Sequence, residues 1–299
     1  MDVLFAMPAW LFVTSALLFG LVVGSFLNVV IHRLPVMLER DWTSELAELA
    51  EQKGTPIDVG DAVPKTYNLA KPDSACPHCG HKITALENIP VISWLVLRGK
   101  CSNCHAPISA RYPAVELLTG VATAIVAWRF GPGWEALAGI LLTWYLIPLS
   151  AIDIDHQILP DIMTLPLLWI GLTLSLFSPQ PAEMLFIPPN TAIVGALAGY
   201  LSLWTVYQCF RLLTGKEGMG YGDFKLLAAL GAWLGWQILP MLVLIAAATG
   251  TVFAVVQMLL RRQERGQPMP FGQWLAAAGW IILVGGQPLQ AVYQRLLGL

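Results

Sequence analysis

Apolar residues run in long stretches along this chain, at roughly 9–31, 113–130, 135–152, 162–178, 191–213, 224–236, 238–260 and 273–294. A helix needs about 20 apolar residues to cross about 30 Å of hydrocarbon. The pattern therefore predicts about eight transmembrane helices, joined by short connections between antiparallel neighbours. The sixth stretch is short, and Gly235-Trp236-Gln237 predicts a tight hairpin into the seventh. One long polar segment interrupts the series, residues 32–112, which holds nine of the nineteen acidic side chains and does not read as a spanning helix. The expected organisation is a first transmembrane helix over 1–31, a polar loop domain over 32–112 and a seven-helix membrane domain over 113–299.

Composition sharpens this into an all-α polytopic membrane protein. The chain is 56% hydrophobic and 12% charged, where soluble domains carry about 25% charged residues. A net charge of −2 argues against a nucleic-acid partner, which calls for a basic surface. No Lys or Arg precedes the first apolar run, so an ordinary secretory signal is not expected. Lys and Arg favour the cytoplasmic side of a membrane protein. Alternating eight crossings puts fifteen of them on one side, from Arg33 to Arg265, and leaves only Arg129 and Arg295 opposite. The loop 32–112 is thus expected to be cytoplasmic, with both termini outside.

Four of the five cysteines form two pairs, Cys76-Pro-His-Cys79 and Cys101-Ser-Asn-Cys104, separated by 21 residues. That separation nearly matches a zinc ribbon. Gly80 and Ala106-Pro107 follow the pairs and let backbone amides turn toward the thiolates. Four thiolates close a tetrahedral shell, which makes a structural Zn²⁺ site, and a reducing cytoplasm disfavours two disulfides. A redox pair or another metal is the alternative. His78, His81 and His105 then fall outside the ligand set, and Cys209, in an apolar stretch, is expected to pack in the core.

Acidic residues at the edge of a spanning helix are costly and therefore candidates for function. Asp153-Ile-Asp155-His156 closes the third stretch, Pro160-Asp161 opens the fourth, and Gly218-Met-Gly220-Tyr-Gly222-Asp223-Phe-Lys225 leads into the sixth. The topology puts both segments on the cytoplasmic face, so two distant carboxylates can meet there as an acid–base pair. Helix capping by Asp161 or Asp223 is the plainer reading, and Asp155 and His156 read equally as solvated loop residues. The glycine series lacks the Gly-Lys-Ser/Thr ending of a nucleotide loop. A proton-coupled transporter using the same aspartates is the rival, although transporter sites lie near the bilayer midplane.

The chain resembles the bifunctional type IV prepilin peptidases, a family of intramembrane aspartyl proteases. The resemblance rests on Gly24-Ser-Phe-Leu-Asn28-Val-Val-Ile-His-Arg33-Leu-Pro35, the two cysteine pairs, Arg111-Tyr-Pro-Ala-Val-Glu116, the Asp153–Asp161 segment and the Gly218–Lys225 segment. It implies an enzyme of the bacterial inner membrane. Its substrates would be type IV prepilins and type II secretion pseudopilins, whose basic leader is removed at the cytoplasmic face. It implies that Asp153 and Asp223 are the catalytic carboxylates. It further implies methylation of the new α-amino group from S-adenosylmethionine, associated with the N-terminal region and the zinc module. Glu87, Arg111 and Glu116 are candidates for that second activity, with ordinary salt links as the plainer alternative. Asp41, Glu45 and Glu48 fall on one face at helical spacing, and either form a solvated surface or steer a basic leader.

Overall fold

The computed structural model describes residues 7–53, 67–177, 185–260 and 270–297. Among these the secondary structure is helical, with no strand and only two isolated β-bridges, Ala75–Lys82 and Lys100–Pro107. The described residues form nine α-helices: α1 Ala9–Gln52, α2 Ile92–Val96, α3 Arg111–Phe130, α4 Trp134–His156, α5 Asp161–Ser175, α6 Pro189–Thr214, α7 Tyr221–Leu234, α8 Leu239–Leu259 and α9 Gly272–Leu297. The chain divides into two compact units, residues 14–124 and residues 1–13 with 125–299.

Among the described residues five helices are long and apolar enough to cross a membrane, namely α1, α3, α4, α6 and the stretch Trp236–Leu259. Each of the other three apolar stretches does form a helix, but a short one. α7 has 14 residues and α5 has 15, about 21–23 Å of helix, and α9 is interrupted by non-helical Gly286. Hydropathy cannot separate a spanning helix from a short core helix, and α7 is buried without interruption from Leu226 to Leu234. The first helix is longer than its apolar run and continues to Gln52, through Pro35 and well past residue 31. The apolar run ends there, yet residues 39–52 are rich in the helix formers Glu, Leu and Ala. Lys65, Arg261, Arg262 and Arg265 of the expected basic side lie outside the described residues.

In unit 14–124, α1 and α3 meet along a seam of small residues. A β-carbon on Gly20 would stand 2.7 Å from Thr123 Oγ1, and one on Gly24 would stand 2.7 Å from the Cα of Glu116. Such contacts are how apolar helices associate where solvent offers no hydrophobic drive. Arg33 is buried on α1 and donates to the carbonyls of Asn68 and Pro72, at 3.0 and 2.7 Å, with its guanidinium over the Tyr67 ring. It fastens the polar segment to the helix.

The other unit is organised around α7. Against α6 the backbones touch: a β-carbon on Gly195 would lie 2.1 Å from the carbonyl oxygen of Gly231, and one on Gly199 would lie 2.5 Å from that of Leu227. Against α5, Trp233 inserts beside Gly171 and donates its indole N–H to the Leu167 carbonyl at 2.8 Å. Against α9, Gly279 receives the Leu230 side chain. Gly235 turns the chain after α7 at φ 89° into a single 3₁₀ turn, Trp236–Ile238, that leads into α8. Cys209 is exposed on α6 rather than in the core. A helix apolar on every side gives no sign of which face packs inward.

Candidate aspartate and cysteine sites

Asp153 occupies the last turn of α4, which ends where Gln157 takes the left-handed conformation at φ 56°. Asp223 occupies the first turn of α7. Both are buried, with 4% and 7% of their surface exposed. Neither caps a helix: Gly220 is the N-cap of α7 and makes no side-chain bond. Asp161 does not cap α5 either, because Pro160 holds that position. Asp161 instead accepts from Lys225 Nζ at 2.6 and 2.7 Å, which links the starts of α5 and α7. Asp155 and His156 are exposed.

The start of α9 brings the two buried carboxylates together. A β-carbon on Gly272 would stand 3.0 Å from Asp153 Oδ2, 3.2 Å from Asp223 Oδ1 and 2.6 Å from Leu159 Cδ1. The two oxygens are therefore at most about 6 Å apart, a gap that one water hydrogen-bonded to both can fill. Asp153 Oδ2 also accepts the backbone N–H of Gln273 at 2.9 Å. Gly222 has its own role, since a β-carbon there would lie 2.7 Å from Leu159 Cβ. Leu159 is thus wedged between the two glycines beside the acids. Sequence reading found both aspartates but missed Gly272. The available signal was a Pro270-Phe271-Gly272 turn at the opening of the last apolar stretch.

The four cysteines of the other unit also converge. Their sulfurs all lie within 4.8 Å of one another, with Cys76–Cys104 at 3.8 Å and Cys79–Cys101 at 4.0 Å. These are too long for disulfides. The two turns are built alike. The amides of Cys76 and Cys101 donate to the carbonyls five residues on, His81 and Ala106, each at 2.9 Å. Gly80 and His105 hold the left-handed position at φ 70° and 59°. The His81 amide points at Cys79 and, helped by other donors, holds its thiol down at about 7, so the backbone favours a thiolate there. Glu87 joins the turns, accepting from Thr84 N–H and Oγ1, from Ser102 Oγ of the second turn and beside His81 of the first. Ser102 first and then Thr84 hold the Glu87 carboxyl down at about 2. Glu87 is thus a structural tie. His78 and His105 are exposed.

Fold and sites define a class: a helical, multi-pass membrane protein with a buried aspartate pair at helix ends and a separate four-cysteine module. The family model for the bacterial peptidase A24 N-terminal domain matches residues 18–130, and that of the type IV leader peptidase family matches 140–255. The chain is 53% identical over 282 residues to a prepilin leader peptidase/N-methyltransferase of Stutzerimonas stutzeri, covering 94% of this chain and 93% of that one. It is 54% identical to that of Aeromonas hydrophila, covering 95% and 94%, and 52% identical to that of Pseudomonas aeruginosa, covering 96% and 95%. No solved structure matches the chain significantly. The chain belongs to the type IV leader peptidase family.

Proposed function

We propose that this protein is a bifunctional membrane enzyme that removes the leader peptide of type IV prepilins and type II secretion pseudopilins and then N-methylates the new terminus. The observation that carries the peptidase half is the approach of Asp153 and Asp223 to one backbone position, Gly272. The two carboxylates share one proton. The ionised partner takes a proton from the bridging water as it attacks the scissile carbonyl, while the protonated partner polarises the carbonyl oxygen and then protonates the leaving amine. Burial excludes bulk water and strengthens both interactions. The fifteen Lys and Arg gathered on one side support a bacterial inner-membrane location with this face cytoplasmic.

The four sulfurs fit a structural zinc ion. Zn–S bonds of about 2.3 Å in a tetrahedron put sulfurs about 3.8 Å apart, close to the Cys76–Cys104 and Cys79–Cys101 separations. Cys76, Cys79, Cys101 and Cys104 would hold the ion and leave no open position, so it takes no part in the reaction. The methyl donor, S-adenosylmethionine, supplies an electrophilic methyl on a sulfonium sulfur, and the protein must present the amine to it neutral and in line. The transporter alternative has no supporting observation.

Purified protein incubated with a prepilin, with and without S-adenosylmethionine, tests both halves by mass spectrometry. The product should lose the leader in both cases and gain one methyl group only with the donor. An intact prepilin would refute the peptidase, and an unmethylated product with donor present would refute the second activity.

A further inference from the structure

We infer that Glu116 is the group that receives the α-ammonium of the cleaved pilin chain and takes its proton before methyl transfer. This rests on the methyltransferase reading above and goes beyond it by naming the acceptor site. Glu116 lies in the apolar helix α3 with 8% of its surface exposed, and it is not used by the peptidase chemistry. Its Oε2 accepts the backbone N–H of Val91 at 2.8 Å, and the Ser25 hydroxyl lies beside the carboxylate. Among the described residues no cation reaches it. A carboxylate buried in apolar surroundings without a counter-ion is costly, and a cationic substrate would supply that ion.

The surrounding atoms suit a cation that carries N–H donors. Ser25 Oγ is 3.4 Å from Asn88 Oδ1, so a carboxylate, a hydroxyl and an amide oxygen gather at one place, matching the three donors of an ammonium. The donor's sulfonium has no N–H to offer these acceptors, and its own α-ammonium is the competing occupant, which donor affinity measured in Glu116→Gln tells apart. The position is also held deliberately. Gly24 lets α1 approach the Glu116 backbone, and Val91 is kept at φ 61°, a strained conformation for a β-branched residue. Ser25 from α1 and Asn88 from the segment before α2 do not titrate. Of the charged groups in this unit, Arg33 is engaged with Asn68 and Pro72, Lys82 with Asp73 and Glu87 with Ser102. Arg111 lies on Glu116's own helix.

An α-amino group of pKa near 8 is about nine-tenths protonated at pH 7 and cannot attack in that form. Its proton passes to a Glu116 oxygen. The freed nitrogen lone pair then attacks the sulfonium methyl carbon, the carbon–sulfur bond breaks, and its electron pair stays on sulfur as a neutral thioether. The product leaves as an N-methylammonium, and Glu116 returns its proton to water.

The test uses Glu116→Gln, which keeps an acceptor for the Val91 amide, with a synthetic peptide of the mature pilin N-terminus as acceptor. Methylation kcat/KM should fall at least thirtyfold at pH 7 and less than fivefold at pH 9, where the amine is neutral in solution. Prepilin cleavage should stay within twofold of wild type, and so should S-adenosylmethionine affinity measured without peptide. Glu116→Asp should recover methylation to within tenfold, and Ser25→Ala should raise the peptide KM severalfold. Three results would overturn the inference: methylation by Glu116→Gln within threefold of wild type, a defect equal at both pH values, or lost donor affinity with an unchanged peptide KM. A wild-type enzyme that never methylates would instead overturn the methyltransferase reading and this inference with it.

Discussion

In the cysteine module all four sulfurs come from two short turns, each closed by its own backbone hydrogen bonds and a left-handed residue at position 80 or 105. The aspartate pair instead draws on residues 153, 223 and 272, at the ends of three helices, and no local turn links them. The first arrangement needs little beyond its own sequence spacing. The second depends on how α7 is seated against α5, α6 and α9, through backbone contacts at Gly195, Gly199 and Gly231 and the Trp233 insertion. A site made by local turns tolerates distant change, whereas one made by helix ends registers small displacements as lost activity.

The largest effect is expected at the pair itself. Asp153→Asn or Asp223→Asn should each lower prepilin cleavage about a thousandfold, in the upper range for acid–base catalysis. Methylation of a pre-cleaved peptide should stay near the wild-type rate. Next comes Gly272→Ala, whose methyl group would press on both acids and on Leu159. Its cleavage kcat should fall about a hundredfold with KM little changed, the loss expected from a misplacement of about 1 Å. Gly279→Ala is the control, because it is equally crowded but only by the flexible end of Leu230; it should keep most activity. Equal losses in the two variants would mean that helix packing, not the acids, is what position 272 serves.

On the other side of the comparison, Cys76→Ser or Cys101→Ser should lower bound zinc below one per chain and reduce methylation more than cleavage, read by metal analysis and the two assays. The smallest effect concerns Asp41, Glu45 and Glu48, which are exposed on the polar extension of α1. Reversing all three to Lys should raise the KM for a basic-leader prepilin a few-fold at low salt, with kcat unchanged and the difference fading at high salt. An unchanged KM at low salt would leave them an ordinary polar surface.

The contrast also explains what was legible in the sequence. Cysteine spacing announced the module, because its ligands are set by local turns. The aspartates were legible because a carboxylate beside an apolar stretch is conspicuous. Gly272 was not, since a glycine shows its importance only through what lies opposite it, and Leu159 and Asp223 are far away in sequence. The Asp161–Lys225 ion pair was hidden in the same way, across 64 residues. Apolar content and helix content part company at α1, which outlasts its apolar run, whereas the short sixth stretch forms the short helix α7.

The central claim is that Asp153 and Asp223 act as one unit, and the cleavage rate of Asp153→Asn/Asp223→Asn beside the two single variants tests it most directly. Groups that work together are lost together, so the double variant should cleave within about threefold of the slower single variant. A double variant slower by the product of the two single effects, or either single variant cleaving at the wild-type rate, would contradict the shared pair.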